Sequence, residues 1–327
     1  MPQVTVDQHY VPKSYLKLFA DSKQQVQVFD VRARRIGKPR LYGAVCYEKF
    51  FYADQTGVHD EVSQVLEDFF NRIETKIADS LPTAIAHAQA GALDEADLDM
   101  LAYMMSLQWL RTDLFRTRMQ QMQGEMYKKI SQMRARFPGF IEDAQEIAKE
   151  HGKEITPEQA AQLRDDIVQG KFSVKMSNRG HLQFLTPDRV EGFHNLFYGK
   201  QWNVLTPGET YRFITSDNPV GEWIPNLGAY GAGFLQRKHY FALTPELLIE
   251  SLPPNINAPI VSPVNTLRYE TCADDDVMMY NMVVAQHGGK FAYARGRYEF
   301  MEIMRQLKTP GRALAKFYRQ FVEPLKV

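Results

Sequence analysis

Three polar residues, widely separated along the chain, have side chains suited to acid–base or phosphate chemistry. His9 carries an imidazole that titrates near neutral pH, so it can act as a general base or as a metal ligand. Arg111 can hold a phosphate group through two parallel hydrogen bonds, and Asp217 can bind a divalent metal ion or accept a proton. We therefore predict a nuclease-like site for phosphodiester hydrolysis, in which His9 and Asp217 hold Mg²⁺ or Mn²⁺ or exchange protons and Arg111 steadies the phosphate.

Further polar residues are predicted to contact the substrate of this site. Gln108 lies three positions before Arg111, so the two side chains share one face of a helix. Small polar residues after a strand, closed by a proline, commonly place a site on a loop. The predicted substrate-binding set comprises Tyr10, Gln108, Ser216, Asn218 and Asn281. The sequence offers no second carboxylate motif, which argues against a two-metal mechanism.

Each of these residues also has a structural interpretation. His9 can pin the start of the chain by hydrogen bonds, and Arg111 can form a buried ion pair with Asp217 or Glu74. Residues 217–219 have ordinary turn composition, because Asp and Asn side chains satisfy local backbone donors and proline fixes the bend. A second hypothesis follows, in which the chain is a non-catalytic binding or protein-interaction module and its polar motif residues stabilise the fold.

The middle of the chain has hydrophobic residues at every third or fourth position, which predicts amphipathic helices. One helix is predicted from His59 to about Gly91, and a longer one from Asp94 to just before Pro138, because proline stops a helix. The sequence Thr156 to Gln159 has the composition of a capping box and predicts another helix start. Further helices are predicted at 13–19, 140–151, 277–286, 299–308 and 312–322, and from Thr186 onward.

Short strands are predicted toward both ends of the chain by β-branched and aromatic runs broken by Gly and Pro. A hairpin is predicted from residues 25–31 through a turn at 34–39 and on toward Tyr47–Tyr52. The order of small β, large α and then mixed β/α predicts an α+β fold with a helix-rich centre, in which strands from the N- and C-terminal parts share one sheet. We predict a single domain over residues 1–327, with later strands at 201–205, 211–215, 238–243 and 291–294.

The balance of charge limits the classes of partner. Lys plus Arg and Asp plus Glu each number 39, so the formal net charge is zero and a protein-wide basic surface for nucleic acid is excluded. A nucleic acid or nucleotide would have to use a local basic patch. Two such patches are present: the hairpin region between Arg32 and Arg40, and the set Arg312, Lys316 and Arg319. Each patch is alternatively an ordinary solvated surface with no partner.

Cysteine usage and hydropathy bear on location. The chain has two cysteines, Cys46 and Cys272, which exclude a disulfide framework and an all-cysteine metal site. Its first residues lack the basic and apolar regions of a signal peptide, and no apolar run approaches the ~20 residues of a membrane span. These features predict a cytoplasmic protein that does not enter a membrane, and they leave the oligomeric state open.

Five stretches carry a family resemblance, among them a His-Tyr-Val-Pro start and a Thr-Ser-Asp-Asn-Pro loop. They occur in this order along the chain: 8–20, 48–52, 108–112, 213–220 and 241–245. Together they resemble an uncharacterised, mostly bacterial family, domain of unknown function 4238. The resemblance implies no known reaction, but it identifies His9, Arg111 and Asp217 as members of the shared motifs. Residues 120–185 match least, and we interpret them as a variable helical insertion.

Overall fold

The computed structural model describes residues 4–55, 57–223, 234–254 and 263–308. The chain divides into two compact units, one of residues 1–115 and 182–327 and the other of residues 116–181. The predicted helix at 312–322, with its basic face of Arg312, Lys316 and Arg319, lies outside the described residues. The second unit occupies nearly the same residues as the predicted insertion, whose variability among relatives stays a prediction.

The middle of the chain is helical as predicted, although one of the predicted helices is divided in two. The longest helix begins after Asp60, whose carboxylate accepts from the backbone N–H of Ser63, and it ends at Gly91 in the left-handed region with φ of 69°. The capping box predicted at Thr156 and Gln159 is present, with both reciprocal hydrogen bonds formed. The described helices are α1 Lys13–Leu16, α2 Glu61–Ala90, α3 Glu95–Leu110, α4 Asp113–Arg134, α5 Phe140–Glu150, α6 Pro157–Val168, α7 Arg179–Leu182, α8 Pro187–Tyr198, α9 Asp274–His287 and α10 Tyr298–Lys308.

The long helix predicted from Asp94 to Pro138 is instead two helices, α3 and α4. Arg111 leaves helical geometry with φ of −91° and ψ of 9°, and Thr112 follows it before α4 begins. The Thr112 hydroxyl donates to Asn218 at 2.9 Å and accepts from the backbone N–H of Phe115. Hydrogen bonds to a distant loop therefore end the first helix at residues whose hydrophobic spacing is still helical.

The strands form three antiparallel-rich sheets among the described residues. The described strands are β1 Asp7–His9, β2 Gln25–Asp30, β3 Arg35–Ile36, β4 Arg40–Leu41, β5 Tyr47–Lys49, β6 Gln201–Thr206, β7 Thr215–Ser216, β8 Val220–Trp223, β9 Lys238–Thr244, β10 Leu247–Leu252, β11 Arg268–Thr271 and β12 Phe291–Ala294. One sheet pairs β1 with β5, and the largest has the order β11-β6-β10-β9-β8, in which β11 is parallel to β6. The third has the order β3-β2-β12-β7, with β4 also paired to β2.

The third sheet confirms that the N- and C-terminal parts of the chain share strands. Strand β2 pairs with β12 so that Val28 lies opposite Tyr293, and β12 also pairs with β7. Phe29 of β2 stacks on Phe300 of α10 at 5.2 Å between ring centroids, and both side chains are buried. Burial of these rings joins the first thirty residues to the last described helix.

Part of the predicted strand pattern is wrong. Residues 211–214 are not in a strand, because their backbone groups bond to side chains and turns rather than to a neighbouring strand; the Ile214 N–H, for example, donates to Asn281. Strands β1, β8, β10 and β11 were not predicted. Strand β10 is buried from Leu247 to Ser251 and has no apolar–polar alternation, so period-two analysis could not detect it.

Within the first unit, α3 packs on α8 and the buried face of α9 packs on β8 and β7. No helix in the described ranges is both long and apolar enough to cross a membrane. The end of α3, the loop at residues 215–219 and the turn after α9 are thereby positioned inside one core, and most of the predicted site residues lie on these elements.

Candidate functional site

Arg111 lies at the end of α3, and each of its three guanidinium nitrogens donates to a protein group. Its guanidinium donates to the Tyr52 hydroxyl at 2.9 Å, to the Glu74 carboxylate at 2.5 Å and to the His9 carbonyl oxygen at 2.7 Å. The guanidinium carbon also lies 4.3 Å from the centre of the Phe70 ring. Arg111 is 1 % exposed. Of the two ion-pair partners that the sequence left open, the structure selects Glu74.

His9 is held in strand β1 with its side chain directed away from Arg111's guanidinium contacts. Its Nε2 atom lies 3.2 Å from the Gly43 carbonyl oxygen, and its ring packs against Tyr47 at 5.3 Å between centroids. Burial and the positive charge of Lys13 lower the pKa of His9 to about 4. At neutral pH the imidazole is therefore uncharged, and the contact between His9 and Arg111 is made by the His9 carbonyl oxygen.

Tyr10 follows in the same segment and is buried. Its ring packs on Phe51 at 5.0 Å, and its backbone N–H donates to the Cys46 carbonyl oxygen at 3.0 Å. Burial, with the neighbouring Cys46 and Asp217 charges, raises the pKa of the Tyr10 hydroxyl. Tyr10 is therefore a core residue, and its hydroxyl lies within electrostatic range of the Asp217 carboxylate.

Asp217 occupies a nest of backbone donors formed by the turn between α9 and β12. Its carboxylate accepts from the N–H groups of Gly289, Lys290 and Phe291 at 2.6, 2.8 and 3.0 Å. Burial raises the pKa of Asp217 to about 6, although these three hydrogen bonds act in the opposite direction. Successive backbone N–H groups of this kind form an anion-binding concavity, and here the anion is supplied by the chain itself.

The residues around Asp217 are likewise satisfied within the protein. The Ser216 hydroxyl donates to the Asn218 carbonyl oxygen, and the Asn218 amide bridges the Thr112 hydroxyl and the His287 carbonyl oxygen. The Asn281 amide accepts from the Ile214 N–H at 3.0 Å and donates to the Arg212 carbonyl oxygen at 2.8 Å. These side chains fix the loop at 215–219 to α9 and to the end of α3.

The predicted residues therefore form one polar layer that is buried except for the partly exposed His9, but the proposed catalytic atoms are not brought to a common point. The His9 imidazole, the Arg111 guanidinium and the Asp217 carboxylate contact separate sets of protein groups. Gln108 is 1 % exposed, and its Oε1 atom has no hydrogen-bond partner. Sequence analysis missed Tyr52, which bonds both Arg111 and His9, because a tyrosine in an aromatic run gives no sign of its distant partner.

Metal-ligating side chains gather elsewhere in the described ranges, at the corner between α2 and α3. Ligand atoms of His87, Asp94 and Asp97 lie within 4.8 Å of one another. His87 Nδ1 is 2.6 Å from the Asp97 carboxylate, and Asp94 and Asp97 form a capping box at the start of α3. Helix capping accounts for this arrangement. His9 and Asp217 do not form such a group with any third side chain that the structure describes.

A second polar set, which sequence analysis missed, crosses the largest sheet. Glu222 of β8 and Ser251 of β10 both lie opposite His239 of β9, so the three side chains form a row on one face. Four of the eight buried side-chain atoms without a partner in the described ranges belong to this row: Glu222 Oε2, both His239 ring nitrogens and Ser251 Oγ. The row is closed by aromatic rings, since Trp109, Phe197 and Phe234 all contact the His239 ring.

The His239 ring gives a prediction about stability. Burial, together with the charges of Lys200 and Arg237, lowers the pKa of His239 well below its usual value. As pH falls below about 6.5, the unfolded chain binds a proton that the folded chain does not, so stability present at neutral pH is lost in acid.

We expect His239→Phe to raise the free energy of unfolding at pH 7 by about 1–3 kcal/mol, because it removes two unpartnered polar atoms from an aromatic surrounding. We also expect a less steep loss of stability below pH 6.5, by about one proton or 1.4 kcal/mol per pH unit. Urea unfolding between pH 5 and 7.5 measures both. An unchanged pH slope would show that His239 is protonated in the folded chain.

A pocket of about 330 Å³ opens between the turn after β2 and helices α9 and α10. Its apolar lining includes the buried side chains of Phe29, Met282 and Ile303, and its polar lining consists of Arg32, Arg34 and Gln286. Among the described residues that line it, none is acidic. Neither arginine has an ion-pair partner within the described ranges. The pocket is therefore apolar at its base and positively charged at one side.

The β2–β3 turn places these arginines. The Asp30 carboxylate accepts from the Ala33 N–H at 2.8 Å, and Arg34 adopts the left-handed region with φ of 47°. This backbone conformation is costly for a non-glycine residue and is kept only where the surroundings fix it. Sequence analysis recognised the basic hairpin but not the apolar surface of α9 and α10 opposite it, because the two segments are more than 240 residues apart.

Comparison with known proteins places the chain in a wider group. The family model described as protein of unknown function (DUF4238) matches residues 7–297. No curated protein matches the chain, and neither does any solved structure.

Proposed function

The chain belongs to the DUF4238 family, and we propose that this member is a ligand-binding protein whose shared polar residues stabilise the fold. The observation that carries the proposal is the satisfaction of Arg111 and Asp217 by protein groups, with 1 % and 2 % of their surface exposed. Each guanidinium nitrogen of Arg111 and both carboxylate oxygens of Asp217 already bond to protein groups, so a phosphate or a metal ion would have to enter the buried core and displace these bonds.

The pocket beside the β2–β3 turn supports a specific class of ligand. Its volume of about 330 Å³ lies at the lower end of the range for small-molecule sites, which are mostly apolar with a few polar groups that fix orientation. Arg32 and Arg34 supply guanidinium donors, which match the geometry of a carboxylate. We infer a small amphiphilic carboxylate, with its apolar body on Phe29 and Ile303 and its anionic end at the arginines.

In this proposal the basic hairpin binds a small anion rather than a nucleic acid or a nucleotide. It also includes a cytoplasmic setting, which is supported by two buried cysteines, Cys46 and Cys272, that form no disulfide.

The ligand class is tested by titrating the full-length protein with octanoate in a calorimeter. We expect octanoate to bind with a dissociation constant below about 1 mM, and the double variant Arg32→Glu/Arg34→Glu to weaken binding by at least about tenfold, because it replaces the cations facing the carboxylate with anions. Octylamine, which has the same apolar body and the opposite charge, should not bind.

The matched control is Arg35→Glu/Lys38→Glu, which makes the same change of charge in the same hairpin at exposed residues that do not line the pocket. Its affinity for octanoate should equal that of the wild type. Equal weakening by both double variants, or equal binding of octanoate and octylamine, would contradict a site formed by Arg32 and Arg34.

The nuclease-like hypothesis makes a different prediction, which enzymatic assays address. Purified protein would be incubated with RNA, DNA and cyclic dinucleotides in the presence of Mg²⁺ or Mn²⁺. The binding proposal expects no turnover. Turnover by the wild type that is lost in folded His9→Ala or Asp217→Asn protein would support the hydrolase hypothesis. It would contradict the structural role proposed for these residues.

A further inference from the structure

Helix α4 carries an exposed stripe of large apolar side chains along its part in the second unit. The most exposed members are Met122 at 57 %, Met126 at 51 %, Ile130 at 50 % and Met133 at 61 %. At 3.6 residues per turn these four side chains lie within about 40° on either side of Met126. Scattered single apolar residues are normal on a protein surface, but a continuous row of this kind marks an interaction site.

The opposite side of the helix is the one that packs within the second unit. Gln132 donates to the Val168 carbonyl oxygen, and Gly124 lies close to the Val174 carbonyl oxygen. Lys128 places its ammonium group 5.7 Å from the centre of the Phe172 ring. The small and polar side of α4 thus faces its own unit and the apolar side faces outward, which is the reverse of an ordinary surface helix.

The spacing of the stripe fits another helix better than a membrane surface. Met119, Met126 and Met133 recur at intervals of seven, and Met122 lies between the first two at the spacing of a heptad. The stripe is narrow, as in a helix–helix seam, whereas a helix lying in a membrane interface presents a broad apolar face. Methionine is also common on surfaces that accommodate partner helices, because its side chain is flexible and polarisable.

The charged residues beside the stripe indicate the sign of the charge that a partner should carry. Arg118 and Lys129 are exposed along one edge of α4 and have no ion-pair partner within the described ranges, Arg136 is exposed just after the helix ends, and Glu125 is the acidic residue on that edge. Pairing of this face with a second copy of itself would bring like charges together, which is unfavourable. An acidic helix would bring opposite charges together along the same edge.

We propose that the methionine stripe of α4 is a docking surface for an amphipathic helix with acidic flanks, supplied by a different protein. The apolar face of the partner covers Met122, Met126, Ile130 and Met133, and its carboxylates pair with Lys129 and the flanking arginines. This inference does not rest on the ligand pocket of the other unit.

The probe is a fluorescent three-heptad peptide with leucine at the a and d positions and glutamate at e and g, added to the full-length protein. Fluorescence anisotropy is expected to give a dissociation constant of about 10–100 µM. Met126→Glu should weaken binding at least about tenfold, because it places a carboxylate in the seam and opposite the acidic peptide. The substitution is at an exposed position and should leave the thermal unfolding of the protein unchanged.

The matched control is Gln121→Glu, which adds the same charge to an exposed position of α4 away from the stripe, and its affinity should change less than twofold. Each of four results would overturn the proposal: no binding of the acidic peptide, equal binding of a peptide with lysine at e and g, self-association of the wild type in sedimentation that Met126→Glu abolishes, or binding to phosphatidylserine vesicles without binding to the peptide.

Discussion

Replacing Arg111 with methionine is expected to lower the free energy of unfolding by about 2–4 kcal/mol, because it leaves a largely buried carboxylate without its cation and removes one hydrogen bond from each of two further oxygens. The carboxylate belongs to Glu74 and the oxygens to Tyr52 and to the His9 backbone. Methionine fills much of the same volume beside Phe70, so the loss reports the hydrogen bonds rather than a cavity. Equilibrium unfolding in urea measures the change.

Two further variants separate the ion pair from a general effect of losing an arginine. Arg72→Met removes an exposed arginine from α2 and should change stability by less than about 0.5 kcal/mol. The double variant Arg111→Met/Glu74→Gln should recover part of the lost stability, since no buried charge then remains unpaired. A stability loss of under 1 kcal/mol in Arg111→Met would mean that the guanidinium is solvated and available to a ligand.

Replacing Asp217 with alanine is expected to cost about 2–3 kcal/mol, because three part-buried backbone N–H groups lose their acceptor together. Those groups belong to Gly289, Lys290 and Phe291, which join α9 to β12. The effect should spread to the shared sheet, since β12 is paired with both β2 and β7. Thermal and urea unfolding measure the loss.

The structural and catalytic accounts of Asp217 differ in the sign of this effect. A residue held in place for chemistry commonly leaves stability unchanged or increases it when it is removed. The control is Asp79→Ala, which removes an exposed carboxylate from α2 and should be close to neutral. If Asp217→Ala proved as stable as the wild type, the carboxylate would be free for a ligand, and the hydrolase hypothesis would regain support.

The sequence predicted which residue types form the polar layer and two possible ion-pair partners for Arg111. It did not predict the geometry of these contacts. Glu74 was one of two alternatives for Arg111, and the structure distinguishes them because α2 passes the end of α3 on the side of Glu74. For Asp217, turn composition predicted that the carboxylate would bind local backbone donors, whereas its observed donors are distant. The donors come from residues 289–291, more than seventy positions later, and a local turn rule could not identify them.

Helix α4 illustrates a different limit of sequence analysis. Its hydrophobic spacing predicts a helix, and the helix is present from Asp113 to Arg134. The usual inference is that the apolar face is buried, but here Met126 and Met133 are more than half exposed while the polar Gln132 contacts its own unit. Periodicity locates a stripe on the helix surface; it does not say whether the chain itself or another molecule covers that stripe.

The cross-strand row of Glu222, His239 and Ser251 could not be predicted from the sequence, because it depends on contacts between distant strands. The three residues are on three different strands, and the register between strands decides whether they are neighbours. A shift of one residue in either pairing would place His239 on the opposite face from one of them. No spacing along the sequence encodes that register.

Amide hydrogen exchange at Gly289, Lys290 and Phe291 tests the central claim most directly, because it reports whether the Asp217 carboxylate is occupied by the chain itself. In the wild type we expect all three amides to be protected, and in Asp217→Asn we expect their protection to fall while the amides of α3 keep theirs. Rapid exchange of the three amides in the folded wild type would mean that the carboxylate is not bound to them. That result would contradict the claim that the polar layer stabilises the fold.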